Sequence, residues 1–344
     1  MTFVQQGKEK SLSSCNGSSS SGHDRKQKEN VYNVRMSLAE QGMWFENYDS
    51  YDKYPAFKAK IDRLVFRDRG SVMRTESVRK IKQWRRENAI EKKSTYYASL
   101  EPQIIKRERM VPTLKRSSDG VIIEESQKFV EDRLHRQIDC LFANGVLPKR
   151  IEDYAGKILG LTNPKPDVVF GILKDRFPPP ARAQLSGFVK NLIGVAPGLE
   201  HPFFGIEVEG PGGSIEEAEN QALRTGTTLV NAFRQLVKAA KDPAQGEEKE
   251  GLDDVTFAFT CSWVPHLAKI HVHWHELQKD GSSVWHMNVL RYYLMDYDDH
   301  MENFRRDIYN ILDWGIDCGR QTMLREIVAK IAMKDPQISP PEQL

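Results

Sequence analysis

The chain has 344 residues, with a hydrophobic fraction of 39%, a charged fraction of 28% and a mean hydropathy of −0.57. This composition predicts a folded protein with one substantial core, and it contains no run of about eighteen apolar residues that could form a membrane-spanning helix. Four widely spaced cysteines without a CxxC pair favour neither a zinc motif nor a disulfide framework, so we expect reduced thiols inside the cell.

The charge is distributed unevenly along the chain. Residues 1–117 carry 25 Lys and Arg against 14 Asp and Glu, a net charge of +11, whereas residues 118–344 carry 25 against 34, a net charge of −9. A basic segment can displace counterions from phosphate, which would suit a contact with nucleic acid. A solvated and partly helical extension has the same composition, so both interpretations remain open.

Residues 1–45 are predicted to form a disordered tail, because a tract such as SSCNGSSSSG offers too few apolar groups to offset the entropy of ordering. The tail lacks the apolar segment of a secretion signal, so we expect an intracellular protein of the nucleus or cytoplasm. Residues 46–117 are predicted to form a basic arm that is partly helical, since Val78, Ile81 and Trp84 have helical spacing.

Residues 118–335 are predicted to form one domain, followed by a tail over residues 336–344. The segment 122–141 is predicted to be a helix because its apolar residues recur at helical spacing. The segment NPKPDVVFGIL is apolar on both faces, which predicts a buried strand that begins at its aspartate. A proline-rich loop or insertion is predicted over residues 174–202.

The segment HPFFGIEVEGPGGS predicts a second strand with alternating character. Phe204, Ile206 and Val208 fall on one face, and Glu207 and Glu209 fall on the other. Because side chains alternate along a strand, we expect both carboxylates to point in the same direction.

Ser214 is predicted to cap the helix that follows, and Glu217 completes a capping box. Three further strands are predicted from VTFAFTCSWVP, LAKIHVHWHEL and VWHMNVLRYYL, and a closing helix is predicted over Asp299–Lys330. This order of elements predicts an α/β fold in which helices flank a mixed β-sheet.

Three of these patterns together resemble a known family. A Pro-Asp167 pair that opens a strand, Glu207-x-Glu209 in the next strand, and a following helix with Gln221 resemble the PD-(D/E)XK core of restriction-endonuclease-like proteins. The segments KPDVVFGI, FFGIEVEGPGGSIEEAENQALRTGTTLVNAFRQL and RRDIYNILDWGIDCGR are similar to a group of fungal PD-(D/E)XK nuclease-like proteins of unknown function. The resemblance covers about three fifths of the chain and leaves the N-terminal arm unexplained.

The resemblance implies a restriction-endonuclease-like fold and metal-dependent hydrolysis of phosphodiester bonds, with Asp167 and Glu207 as ligands of Mg²⁺ or Mn²⁺. The family pattern usually has Lys at the third position, where this chain has Glu209, which would assist the metal or the water. Gln221 matches a helix position that contacts substrate or water, and Glu131 matches an acid of the first helix loosely.

Nucleic acid, expected to be DNA, is the implied partner, and the related restriction enzymes favour a homodimer. The missing Lys leaves a second interpretation open. The chain could be a catalytically inactive interaction module that keeps the fold and binds nucleic acid or a protein partner.

A second polar pattern lies on the predicted strand KIHVHWHEL. His271, His273 and His275 alternate there, so one face of the strand carries three imidazoles. Such spacing can hold a transition metal, and a half-exposed polar face of a sheet has the same pattern. Trp274 falls on the opposite face and is predicted to be a core residue.

Overall fold

The computed structural model describes residues 30–46, 49–68, 78–83, 114–116, 122–124, 134–142, 147, 161–173, 199–241 and 250–333. No helix within these ranges is long and apolar enough to span a membrane.

The helices of the described residues, numbered in chain order, are α1 (Val31–Glu40), α2 (Asp49–Asp52), α3 (Pro55–Val65), α4 (Ile215–Ala240), α5 (Asp298–Gly315) and α6 (Cys318–Met333). The strands are β1 (Met43–Glu46), β2 (Leu114–Arg116), β3 (Ile122–Glu124), β4 (Leu134–Ile138), β5 (Val168–Leu173), β6 (Leu199–Val208), β7 (Gly251–Val264), β8 (Leu267–Leu277) and β9 (Ser283–Leu294). Residues 78–83 are also helical.

Seven strands form one mixed sheet in the order β1-β9-β8-β7-β6-β5-β4, and β2 pairs with β3 in a separate two-stranded sheet. The pairs β6/β7 and β1/β9 are parallel, and the other neighbours in the large sheet are antiparallel. Parallel neighbours need a long crossover, which α4 provides between β6 and β7. The predicted α/β fold, a mixed sheet flanked by helices, is therefore confirmed.

The two faces of the sheet differ in polarity. One face packs Phe204, Ile206 and Val208 of β6 into a large apolar core that also contains buried residues of α3 and α5. Asn310 of α5 fastens α3 to this face, since its amide nitrogen donates 2.9 Å hydrogen bonds to the carbonyls of Val65 and Arg67. The apolar face therefore provides most of the driving force for folding.

The helix α4 covers the other face and approaches it closely. Ser214 and Glu217 form the predicted capping box, with both hydrogen bonds at 3.2 Å. A Cβ atom at Gly205 would lie 2.6 Å from the Thr225 methyl group, and a Cβ atom at Gly226 would overlap the ring of His273. Glycine at both positions therefore allows the helix to lie close against β6 and β8.

The helix predicted over residues 122–141 is wrong where the structure describes that segment. Residues 122–124 form β3, and residues 134–138 form β4, which pairs antiparallel with β5. Residues four positions apart lie on one face of a strand as well as on one face of a helix, so the apolar pattern fits both structures. For residues 134–138, the pairing with β5 determines that the segment is a strand.

Three predicted boundaries are also wrong. Residues 31–45 do not belong to a disordered tail, because α1 packs on α4 and β1 pairs with β9. The loop predicted over residues 174–202 ends earlier, since residues 199–202 belong to β6. The closing helix predicted over residues 299–330 is two helices, which are separated at Ile316 and Asp317.

Candidate acidic centre

Asp167 immediately precedes β5, and Glu207 lies near the end of the neighbouring strand β6. The antiparallel register pairs Val168 with Ile206, which are the chain neighbours of Asp167 and Glu207. The backbone N–H of Val208 donates a 2.7 Å hydrogen bond to Oδ2 of Asp167, and this charge-assisted bond fixes the carboxylate at the strand end.

Glu207 is directed towards α4, as its alternation with Ile206 and Val208 predicts. Its side chain is buried, with 1% of the residue exposed, and Oε1 accepts a 2.6 Å hydrogen bond from the Thr225 hydroxyl. A buried carboxylate needs such donors because it has lost its hydration. Thr225 therefore orients Glu207 beneath the helix.

Glu209 lies just beyond β6 and is partly exposed. Its Oε1 accepts a 2.8 Å hydrogen bond from the side-chain amide of Gln221, and its backbone N–H donates a 2.8 Å bond to the Trp263 carbonyl. A Cβ atom at Gly213 would lie 2.7 Å from Cβ of Glu209, so the turn before α4 is packed tightly against this side chain. Gln221 and the glycine turn thus hold Glu209 near the surface.

The four predicted residues Asp167, Glu207, Glu209 and Gln221 therefore lie around the end of β6 and the first half of α4. No group of three or more His, Cys, Asp or Glu side chains within the described ranges has an arrangement that could hold a metal ion. A three-carboxylate cage is thus not preformed. Mg²⁺ requires only one or two protein carboxylates when water and phosphate complete its octahedron, and Asp167 and Glu207 are ligands of the chemical type that it uses. Glu131 lies outside the described residues.

Thr225 was not among the candidates from the sequence, although a signal for it exists. It follows Gln221 by four residues, so both side chains lie on the same face of α4. Once Gln221 is assigned to the site, the helical period selects Thr225 as the next polar side chain that faces β6.

The three histidines of β8 face α4 and are buried, which excludes the half-exposed polar face considered from the sequence. His271 Nε2 shares a 3.0 Å hydrogen bond with the Ser262 hydroxyl, and His273 Nε2 shares one of 2.7 Å with the Thr260 hydroxyl. His275 packs edge-to-face on Trp285. Each imidazole has a different neighbour, and no metal-binding group occurs among the described residues. The three imidazoles therefore do not converge on one point where a metal ion could bind.

Burial controls the ionisation of this row. Desolvation lowers the pKa of His273 and of His275 to about 3, and it lowers the pKa of His271 well below its ordinary value. These histidines are therefore neutral at physiological pH. Trp274, on the opposite face, is fully buried, as predicted.

Among families of known domains, residues 82–327 match the one described as a domain of unknown function, DUF7924. This range is more than half of the chain and includes all four residues of the acidic centre. No curated protein matches the chain.

Proposed function

The chain belongs to the DUF7924 family of domains of unknown function, and we propose that its acidic centre is a metal-dependent nuclease site that hydrolyses phosphodiester bonds in nucleic acid. Asp167 and Glu207 support this proposal, because Asp167 precedes Val168, which pairs with Ile206 beside Glu207, and the Asp167 carboxylate accepts a hydrogen bond from the Val208 N–H. Two carboxylates can supply the protein ligands of one hard divalent cation.

Mg²⁺ or Mn²⁺ would be held by Asp167 and Glu207. When bound, the ion supplies Lewis-acid stabilisation of the phosphoryl group and makes a water molecule more acidic. The chain contributes the orientation of the ligands. The Val208 N–H holds Asp167, and the Thr225 hydroxyl holds Glu207, so neither carboxylate must be ordered when the ion arrives.

Glu209 stands where the PD-(D/E)XK pattern usually has Lys, and we propose a different role for it. It is an acceptor near the surface, and Gln221 fixes one of its two oxygens. Its carboxylate can accept a proton from the attacking water, which is the role of a general base. Gln221 thereby serves as a positioning residue.

DNA is the proposed substrate, and the excess of positive charge in residues 1–117 supports an electrostatic contact with its phosphates. The proposed setting is the nucleus or the cytoplasm, and the resemblance to restriction enzymes supports a homodimer. The free thiols of Cys140 and Cys261 suit a reducing compartment.

The proposal is tested by incubating the full chain with plasmid and with single-stranded DNA in Mg²⁺, in Mn²⁺ and in EDTA. We expect cleavage that requires the metal and that falls by about 100-fold or more in Asp167→Asn and in Glu207→Gln, because each change removes a ligand charge. Asp139→Asn is the matched control, since this exposed aspartate stands next to Asp167 and pairs with Lys165 instead. Equal cleavage by wild type and Asp167→Asn would remove the catalytic assignment.

The second candidate function is a catalytically inactive interaction module with the same fold. One observation favours it, namely that Asp167, Glu207 and Glu209 are each held by a hydrogen bond within the protein while the family Lys is missing. Salt-dependent binding of DNA without metal-dependent cleavage would support this module and contradict the nuclease. Absence of any binding to nucleic acid would point to a protein partner.

A further inference from the structure

Arg320 is a buried cation at the start of α6. It is 7% exposed, and its guanidinium carbon lies 4.3 Å from the ring centroid of Trp314, 5.1 Å from that of Phe233 and 5.5 Å from that of Phe203. These rings belong to α5, α4 and β6, so three elements enclose one guanidinium. Each distance is within the range of a cation–π contact.

The guanidinium has no anionic counterpart. Within the described part of the chain it donates a hydrogen bond to no carboxylate, and its Nε–H is buried without an acceptor. Aromatic faces attract the charge, but the five N–H groups lie in the guanidinium plane and require acceptors at its edge. Desolvation lowers the pKa of Arg320 to about 9, and the guanidinium remains charged at physiological pH.

A second basic side chain, His201, lies on β6 two residues before Phe203, whose ring contacts the guanidinium. His201 is buried and has a left-handed backbone with φ of 44°, at the irregularity where the pairing of β5 with β6 shifts between Phe170 and Ile172. Such a bulge redirects a side chain away from the regular alternation of the strand. Burial, and after it the charge of Arg320, lowers the pKa of His201 to about 3, so its imidazole is neutral at physiological pH.

We propose that Arg320 and His201 form a binding site for a small oxyanion, a carboxylate or phosphate group, that is separate from the acidic centre. The planar fork of the guanidinium matches two oxygens of such a group, and a neutral imidazole can donate one further N–H. A bound oxyanion would supply the acceptors and the negative charge that the aromatic enclosure lacks.

The site is distinct from the acidic centre in position and in charge. His201 and Glu207 are six residues apart on β6, a separation of about 20 Å along the strand. The carboxylate of Glu207 and the imidazole of His201 thus lie near opposite ends of β6. An anion can therefore bind near α6 without entering the proposed metal site, and the inference does not depend on nuclease activity.

The test measures the unfolding temperature and the binding heat of the full chain in titrations with inorganic phosphate and with acetate at constant ionic strength. We expect saturable stabilisation by at least one of the two anions, because a ligand that binds only the folded state stabilises it. The two arms distinguish a phosphate from a carboxylate site. No stabilisation and no binding heat with either anion would overturn the proposal.

Arg320→Met retains an apolar stem and removes the charge, and we expect it to weaken anion binding by about tenfold or more. Arg325→Met is the control on the same helix, because Arg325 is exposed, and it should bind as the wild type does. If Arg320→Met does not fold, Arg320→Lys replaces it in the test. Lysine keeps the charge but lacks the planar guanidinium, so we expect this variant also to bind the anion more weakly. Unchanged binding in an Arg320 variant would assign the guanidinium to the packing of α6 alone.

Discussion

The side-chain carboxyl of Glu207 is buried, with 1% of the residue exposed to solvent. Its Oε1 accepts a 2.6 Å hydrogen bond from the Thr225 hydroxyl, which supplies a donor that a buried carboxylate needs. The sequence predicted the direction of Glu207 from strand alternation alone. It did not predict the depth of burial, because that depends on how closely α4 approaches β6.

Thr225→Val should therefore destabilise the protein by about 1.5–3 kcal/mol, because valine keeps the shape and removes a donor to a charged acceptor. The measurement is the free energy of unfolding in urea. Thr228→Val is the control in the same helix, where the hydroxyl donates to the neutral carbonyl of Arg224, and it should lose about 0.5–1.5 kcal/mol. Equal losses in the two variants would contradict a charged Glu207.

The neutral histidines of β8 predict a dependence of stability on pH. Histidine titrates near pH 6.5 in an unfolded chain, whereas burial lowers the pKa of His273 and of His275 to about 3 in the folded protein. Between these values the unfolded state binds protons that the folded state does not. Stability is therefore complete above about pH 6.5 and falls as the pH falls towards 3, by up to about 1.4 kcal/mol per unit for each histidine.

His273→Gln should reduce this slope by up to about 1.4 kcal/mol per pH unit, since the glutamine amide does not titrate. Urea unfolding at several pH values between 4 and 7 gives the slope. His266→Gln changes an exposed histidine and should leave the slope as in the wild type. A slope that His273→Gln does not alter would contradict a buried, neutral His273.

At the scale of elements, the contact between α4 and the sheet depends on the absence of side chains. Gly226 stands over the His273 ring, where a Cβ atom would overlap it. The capping box and the amphipathic period of α4 are visible in the sequence, because they are local. The close approach of α4 to the sheet cannot be predicted from the sequence, because a glycine within a helix does not indicate which residue of another element packs against it.

Gly226→Ala should destabilise the protein by about 1–3 kcal/mol, although alanine is the better helix former, because the added methyl forces α4 and β8 apart. Thermal and urea unfolding measure the change. Gly212→Ala is the control, since a Cβ atom there would have no neighbour within 4 Å, and it should be nearly neutral. Stabilisation by Gly226→Ala would show that the helix has room to shift.

At the scale of the whole molecule, the N-terminal helices belong to the same folded unit as the sheet. Phe57 and Ile61 of α3 are buried in the core of the apolar face, and Phe57 packs against the rings of Phe257 and Trp274. These residues precede residue 82, where the match to the family begins. The family region thus gains part of its core from chain outside it.

Phe57→Ala should cost about 3–5 kcal/mol of global stability, with one coincident transition by circular dichroism and by tryptophan fluorescence. The control is Tyr32→Ala on α1, because Tyr32 is 67% exposed and its loss should change stability by less than about 0.5 kcal/mol. A small effect of Phe57→Ala, or two separate transitions, would show that α3 folds independently of the sheet.

Features that depend on periodicity and on neighbours in the chain could be predicted from the amino-acid sequence. The alternation in β6 directed Glu207 and Glu209 to one face, and the Ser214 capping box began α4, since both depend on a few adjacent residues. Long-range packing was needed to establish that residues 134–138 are a strand, that His271 and its neighbours are buried, and that Arg320 is enclosed by three rings. Those outcomes depend on partners far away in the chain, and a local pattern cannot specify which distant partner it meets.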